Sequence, residues 1–245
     1  MNKLNNTVYW VLPILYIVFG AKLVAAMGFS GDIAPAMAYK VGFSALLMAL
    51  LLMSNKVKTV GLNLSVNLRV LPLFWPFAVL IIFTLSRPTA SPSMVELLQL
   101  LVFTLSIGFI EEVVFRGLVF HWLAKHSKVK IVLLSSVIFG LFHGLNILSG
   151  DDIRVVGLQV FVAFSIGLVF AVIRMKDSSL LSVIVVHALI DFSEYAANGM
   201  SASSEFNEQT VVMWLVPGVV FFVWGLVLLY RLDNTPELKS TTVIN

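Results

Sequence analysis

The chain has 245 residues, of which 59% are hydrophobic and only 12% charged. A soluble domain carries about twice that charged fraction, so a soluble globular protein is excluded and lipid is left as the place to bury the apolar surplus. The lack of cysteine excludes a disulfide framework, an iron–sulfur cluster, a thiolate zinc site and a Cys nucleophile, and a net charge of +3 with no basic stripe argues against nucleic acid as a partner.

A helix crosses a bilayer with about 20 mostly apolar residues. Eight segments meet that requirement: 7–27, 35–53, 69–86, 95–124, 130–148, 156–174, 179–197 and 210–231. The expected fold is therefore all-α, a polytopic membrane protein with about eight transmembrane helices in a single domain over 1–245. The linkers hold turn formers, as in Gly31-Asp32, Arg87-Pro88 and Ser149-Gly150. Pro13, Pro72, Pro76 and Pro217 fall within or near span ends, where membrane helices tolerate proline. The first span is long, carries Lys22 and leads straight into further spans, so it is expected to be retained rather than cleaved as a signal peptide.

Loop charges alternate along this series. Lys3, Lys56, Lys58, Arg69, Lys125, Lys128, Lys130, Arg174, Lys176, Arg231 and Lys239 fall on one side, 11 of the 16 basic residues. The other side has Lys40, Arg87 and Arg154 at its edges among Asp32, Asp151, Asp152, Glu205 and Glu208. The positive-inside rule then puts both termini in the cytoplasm and asks for an even number of spans. A prokaryotic inner membrane is the expected location.

Ionisable side chains at mid-membrane cost roughly 2.5–3.5 kcal/mol each on insertion scales, so each needs a reason. The fourth span carries Glu111, Glu112 and Arg116, the fifth His143, and the seventh His187 and Asp191. Counted from Lys125, Lys130 and Lys176 at about 1.5 Å per residue, Glu111 lies roughly 21 Å in, His143 roughly 20 Å, and His187 and Asp191 roughly 16 and 22 Å. Three helices thus bring polar groups to one level. Glu112 and Arg116, four apart, share a helix face and can neutralise each other. Glu111 is turned about 100° away, free to face the histidines. His187 and Asp191, also four apart, point to one side. Gly140 and Gly144 flank His143 at a spacing that lets another helix approach, and Gly108 does the same for Glu111. Glu194, nearer the outer surface, is expected to be solvated at the interface. His121 and His126 are expected to face water at the other end of the fourth span.

Taken together and in order, these residues resemble the CPBP family, the CAAX-protease and bacteriocin-processing intramembrane proteases. The family pattern is Glu-Glu-x-x-x-Arg, Phe-x-x-x-His and His-x-x-x-Asn/Asp on separate helices of an eight-span fold. Here the first stands as Glu111-Glu112 with Arg116, the second as Phe139 to His143, and the third as His187 to Asp191. The resemblance covers a catalytic core of about 95–197.

It implies an intramembrane endopeptidase of glutamic type, which hydrolyses a peptide bond with a Glu-activated water. Carried over, Glu111 is the general base, with His143 helping to hold the water. His187 and Asp191 stabilise the oxyanion, and Glu112 with Arg116 shapes the site. Many members have Asn where this chain has Asp191. A charged Asp cannot donate to an oxyanion, so Asp191 either carries a proton or orients His187. The expected partners are a peptide or membrane-protein substrate and the lipid bilayer, with no nucleic acid and no cofactor; the oligomeric state is left open.

Three other readings compete. The family also allows a non-catalytic scaffold or a bacteriocin-immunity partner. Glu111, His143, His187 and Asp191 together form an N/O ligand set for zinc, although no His-Glu-x-x-His pair stands on one helix. Intramembrane Glu, His and Asp also mark transporter pathways, but the spans show no inverted repeat.

Overall fold

The computed structural model describes residues 33–65, 67–149, 151–199 and 206–234, so the expected first span, 7–27, with Lys22, lies outside the described residues. From there on each long apolar run forms a helix. Helix α1, Ile33–Met53, buries Phe43, Leu47 and Leu51. Their spacing of four puts them on one stripe, which packs on the fourth expected span. The next span opens as a 3-10 turn, Leu68–Phe74, capped by the Asn67 side chain. Pro72 within it has no amide to donate, and the chain settles into α2, Trp75–Leu85, only after it.

Helix α3, Met94–Glu112, begins at a reciprocal cap in which Ser93 and Glu96 bond each other's backbone amides. That cap fixes the phase of the helix carrying Glu111 and Glu112. It runs on as a π-helical turn, Val113–Leu118, and a last turn, α4, Val119–Trp122. Ser127 caps α5, Lys128–His143, which tightens into a 3-10 turn at Gly144–Ser149. Helix α6, Ile153–Lys176, starts on Asp152. The Arg154 side chain and backbone amide bond the Asp152 carboxylate and hold its pKa down at about 2. Helices α7, Leu181–Asn198, and α8, Glu208–Asp233, complete the series.

Among the described residues, six helices are long and apolar enough to cross a membrane: α1, the 3-10 turn with α2, α3 through α4, α5, α6 and α8. Helix α7 is not one of the six, although it has 18 residues; His187, Asp191, Glu194 and Asn198 dilute its apolar content. The all-helical membrane architecture therefore stands, while the count of eight goes beyond these six.

Helix α6 lies at the centre, against α5 on one side and α8 on the other, and α3 packs against α7 and α1. Phe77 stacks on Phe221 at 4.5 Å between ring centres and lies 5.0 Å from Phe170, tying α2, α8 and α6 together. The outward faces stay apolar: Val79, Ile82, Val212, Val216 and Val223 are all exposed, as lipid contact requires. Two loop contacts define the ends. At the basic end Leu180 N–H donates to Gly61 O, and Asn63 bonds the Ser178 carbonyl. At the other end Thr89 and Ala90 N–H both donate to Ala197 O.

Candidate active site

The site forms where α3 and α7 come closest, and that approach depends on Gly108. A Cβ there would stand 2.8 Å from the Ile184 carbonyl oxygen and 3.2 Å from Ala188 N. With hydrogen in its place the two backbones nearly touch, and the residues one turn further along α3 meet the imidazole of His187. Gly140 does the same for α5 and α6, since a Cβ would stand 2.9 Å from Phe164 Cβ and from Val160 O. Gly144 meets only an ordinary contact at 3.6 Å.

His187 is the hub. Its Nδ1 lies 2.7 Å from Glu112 Oε1, while its Nε2 lies 3.7 Å from both Glu111 Oε2 and Asp191 Oδ2. A carboxylate only accepts, so Nδ1 carries the proton and donates to Glu112. The same Glu112 oxygen accepts from Arg116 Nη1 at 3.1 Å, and both of those side chains are fully buried. The remaining faces of the guanidinium are met by rings, with Cζ 4.1 Å from the centre of Phe139 and 5.8 Å from that of Phe170. These rings stand in for hydrogen bonds that the buried Nε and Nη2 do not make among the described residues. Phe139 and Phe170 also flank His187, at 6.1 and 5.9 Å.

The Glu112–Arg116 pair spans the junction between α3 and the π-helical turn. The wider turn gives its Phe115 carbonyl to Ser135 Oγ on α5 at 2.9 Å, which ties the site's helix to the next one. Gly117 in the same turn lies against Val60, where a Cβ would approach Val60 Cβ to 2.9 Å.

Glu111, Glu112, Arg116, His187 and Asp191 thus form one connected cluster. Glu111 and Asp191 keep partial exposure, with side chains 22% and 25% accessible, and Glu111 Oε2 is buried without a hydrogen-bond partner among the described residues. His143 joins less directly. Its Nδ1 lies 3.0 Å from the Phe139 carbonyl on its own helix, and its ring meets the edge of Phe139 at 4.9 Å, so Phe139 stands between the two histidines. Among the described residues no group of three His, Asp or Glu side chains has the arrangement to hold a metal ion. Glu194 accepts from Asn198 in an exposed position, and His121 and His126 are exposed.

Three features go beyond the sequence reading. Lys40 is not simply an edge residue of α1: it is half-buried and interacts electrostatically with Glu111 and Asp191. Glu112 is not given over to Arg116 but holds His187 as well. The aromatic walls Phe139 and Phe170 carried no separate signal, since phenylalanine is abundant throughout; only the place of Phe139 four residues before His143 set it apart.

Residues 92–193 match the model of the type II CAAX prenyl endopeptidase Rce1-like family, the stretch that holds all three motifs. No curated protein and no solved structure matches the chain. The family is one of intramembrane proteases acting on peptide or protein substrates.

Proposed function

We propose that this chain, whose residues 92–193 match the Rce1-like family model, hydrolyses a peptide bond in a membrane-associated protein or peptide through a water activated by Glu111. The observation that carries the reading is the position of Glu111 Oε2, buried, without a hydrogen-bond partner among the described residues and 3.7 Å from His187 Nε2. One water can lie within about 2.8 Å of both atoms, touching a base and a donor together.

Glu111 takes the water's proton as the hydroxide attacks the scissile carbonyl. The developing oxyanion is met by His187 Nε2–H. That donor exists only if the ring carries both protons, because Nδ1–H already donates to Glu112. The local charges favour such a ring: Glu111, Glu112 and Asp191 supply three negative charges, and Arg116 and Lys40 two positive ones, so an imidazolium brings the cluster to neutrality. When Glu111 is protonated and the oxyanion has formed, the sum is unchanged, and charge moves without accumulating. Glu111 then gives its proton to the leaving amine as the C–N bond breaks.

Glu112 and Arg116 position His187, which leaves Asp191 to flank Nε2 rather than to orient the ring. His143 lies one aromatic ring away, across Phe139. The substrate class includes the prenylated chain ends that give the family its name, and the location is a membrane with both termini in the cytoplasm.

Wild type and Glu111→Ala, expressed in matched cells at equal level, test this directly. Newly formed peptide termini present with the wild type and lost with Glu111→Ala are expected. Identical sets of termini with both proteins inserted would favour the scaffold or immunity reading instead.

A further inference from the structure

A second site lies at the basic end of the molecule, far from the carboxylate cluster. A cavity of about 290 Å³ opens between the 3-10 turn, the end of α6 and the end of α8, lined by Asn67, Arg69, Leu73, Lys176, Leu228 and Arg231. Its three cations come from three different helices, so no single amphipathic pattern accounts for their meeting. The neighbouring acid Asp177 is buried: its oxygens accept from Ser179 N at 2.9 Å, from Ser182 Oγ at 3.3 Å and from the backbone N–H of Asn67, in the cavity wall, at 3.4 Å.

Apart from Asn67, the rest of the lining is apolar. Leu73 and Leu228 form the floor. The Leu73 carbonyl accepts from Trp224 Nε1 at 3.0 Å, and Trp75 packs against Trp224 at 5.8 Å. Trp75 and Tyr230 are 52% and 72% exposed, as are Leu68 at 70% and Leu71 at 48%. Exposed Trp and Tyr beside a row of Arg and Lys mark the headgroup level of a bilayer. A pocket of this volume is at the small end for ligands; it takes a headgroup and leaves acyl chains to lie along the exposed leucines.

We propose that this pocket binds the phosphate of an anionic phospholipid headgroup, held by Arg69, Lys176 and Arg231. Basic pockets between membrane helices suit such headgroups, each cation contributing on the order of five-fold in affinity. The exposed apolar surface beside the cavity, Leu68, Leu71 and Trp75, favours a lipid over a free phosphate, which would gain nothing from it.

The full chain in nanodiscs of phosphatidylcholine, titrated with phosphatidylglycerol and read by native mass spectrometry, tests this. Wild type is expected to retain phosphatidylglycerol, Arg69→Gln, Lys176→Gln and Arg231→Gln each to bind it roughly five-fold more weakly, and the triple variant to lose the preference. Arg231→Lys should keep it. Lys125→Gln and Lys130→Gln, at the same end but outside the pocket, should change nothing; an equal loss there would make the effect one of general charge and overturn the site. Inorganic phosphate supplied alone should bind far more weakly, and binding as tight as that of the lipid would overturn the headgroup assignment. All the substituted side chains are exposed or half-buried, and unchanged melting of each variant verifies that the fold is kept.

Discussion

Arg116→Met removes the guanidinium that touches Glu112 while keeping much of the side chain's volume. In the native site Arg116 and Glu112 are both fully buried and share a 3.1 Å bond, so the substitution leaves Glu112 with His187 as its only partner. Breaking a buried pair from one side costs about 3–5 kcal/mol, whereas removing both charges is often near neutral. In a protein of this length that loss lowers the melting point by on the order of 10 °C. The double variant Glu112→Gln/Arg116→Met should recover most of it, giving a coupling of about 2–4 kcal/mol in a double-mutant cycle. Cleavage should not recover, because Gln cannot hold an imidazolium at Nδ1 as a carboxylate does. Heating the detergent-purified proteins and counting new termini in cells read the two quantities separately. A double variant as unstable as the single one would refute the charge argument. A double variant with full cleavage would refute the role given to Glu112.

Other outcomes follow from the same geometry. Gly108→Ala must push α7 back by several tenths of an ångström from the Ile184 carbonyl, which costs about 1–3 kcal/mol; it should insert normally yet lose cleavage, and unchanged activity would show that the α3–α7 approach does not set the site. Lys40→Met should reduce cleavage and Lys40→Arg keep it, since a cation there interacts electrostatically with Glu111 and Asp191; indifference to both would remove Lys40 from the charge balance. Purified protein should carry no stoichiometric zinc by elemental analysis, and cleavage should survive chelation; one bound zinc per chain with loss of activity on its removal would replace the water-activation scheme.

Much of the fold could be read from apolar runs, because a membrane helix announces itself by length. The expected 35–53, 95–124, 156–174 and 210–231 each overlie a helix. What such runs hide is orientation. A helix apolar all round has no periodic face to show which side meets a neighbour, so the inward setting of Lys40 was invisible and its place near a span end suggested the interface. Hydropathy was also silent on backbone variants: the 3-10 turn around Pro72 and the π-helical turn after Glu112 have the composition of ordinary helix.

The candidate site was legible for a different reason. Its charged residues are too expensive to be scattered in lipid, so spacing and depth alone grouped Glu111, His187 and Asp191, which do converge. Spacing assigned Glu112 wholly to Arg116, because i to i+4 arithmetic sees one helix at a time. Contact with His187 arises from the closeness of α7 at Gly108, a tertiary fact.

The π-helical turn at Val113–Leu118 makes the helix through the site behave as two phased segments joined by a spare residue. Deleting Leu118, at the end of that turn and beyond Arg116, lets it relax to ordinary helix, with both flanking segments keeping their facing and the Glu112–Arg116 spacing intact. Deleting one residue between the Ser93 cap and Glu111 has no such relief, and rotates the carboxylate about 100° away from His187. Chain length in this helix is thus forgiving on one side of Glu112 and unforgiving on the other.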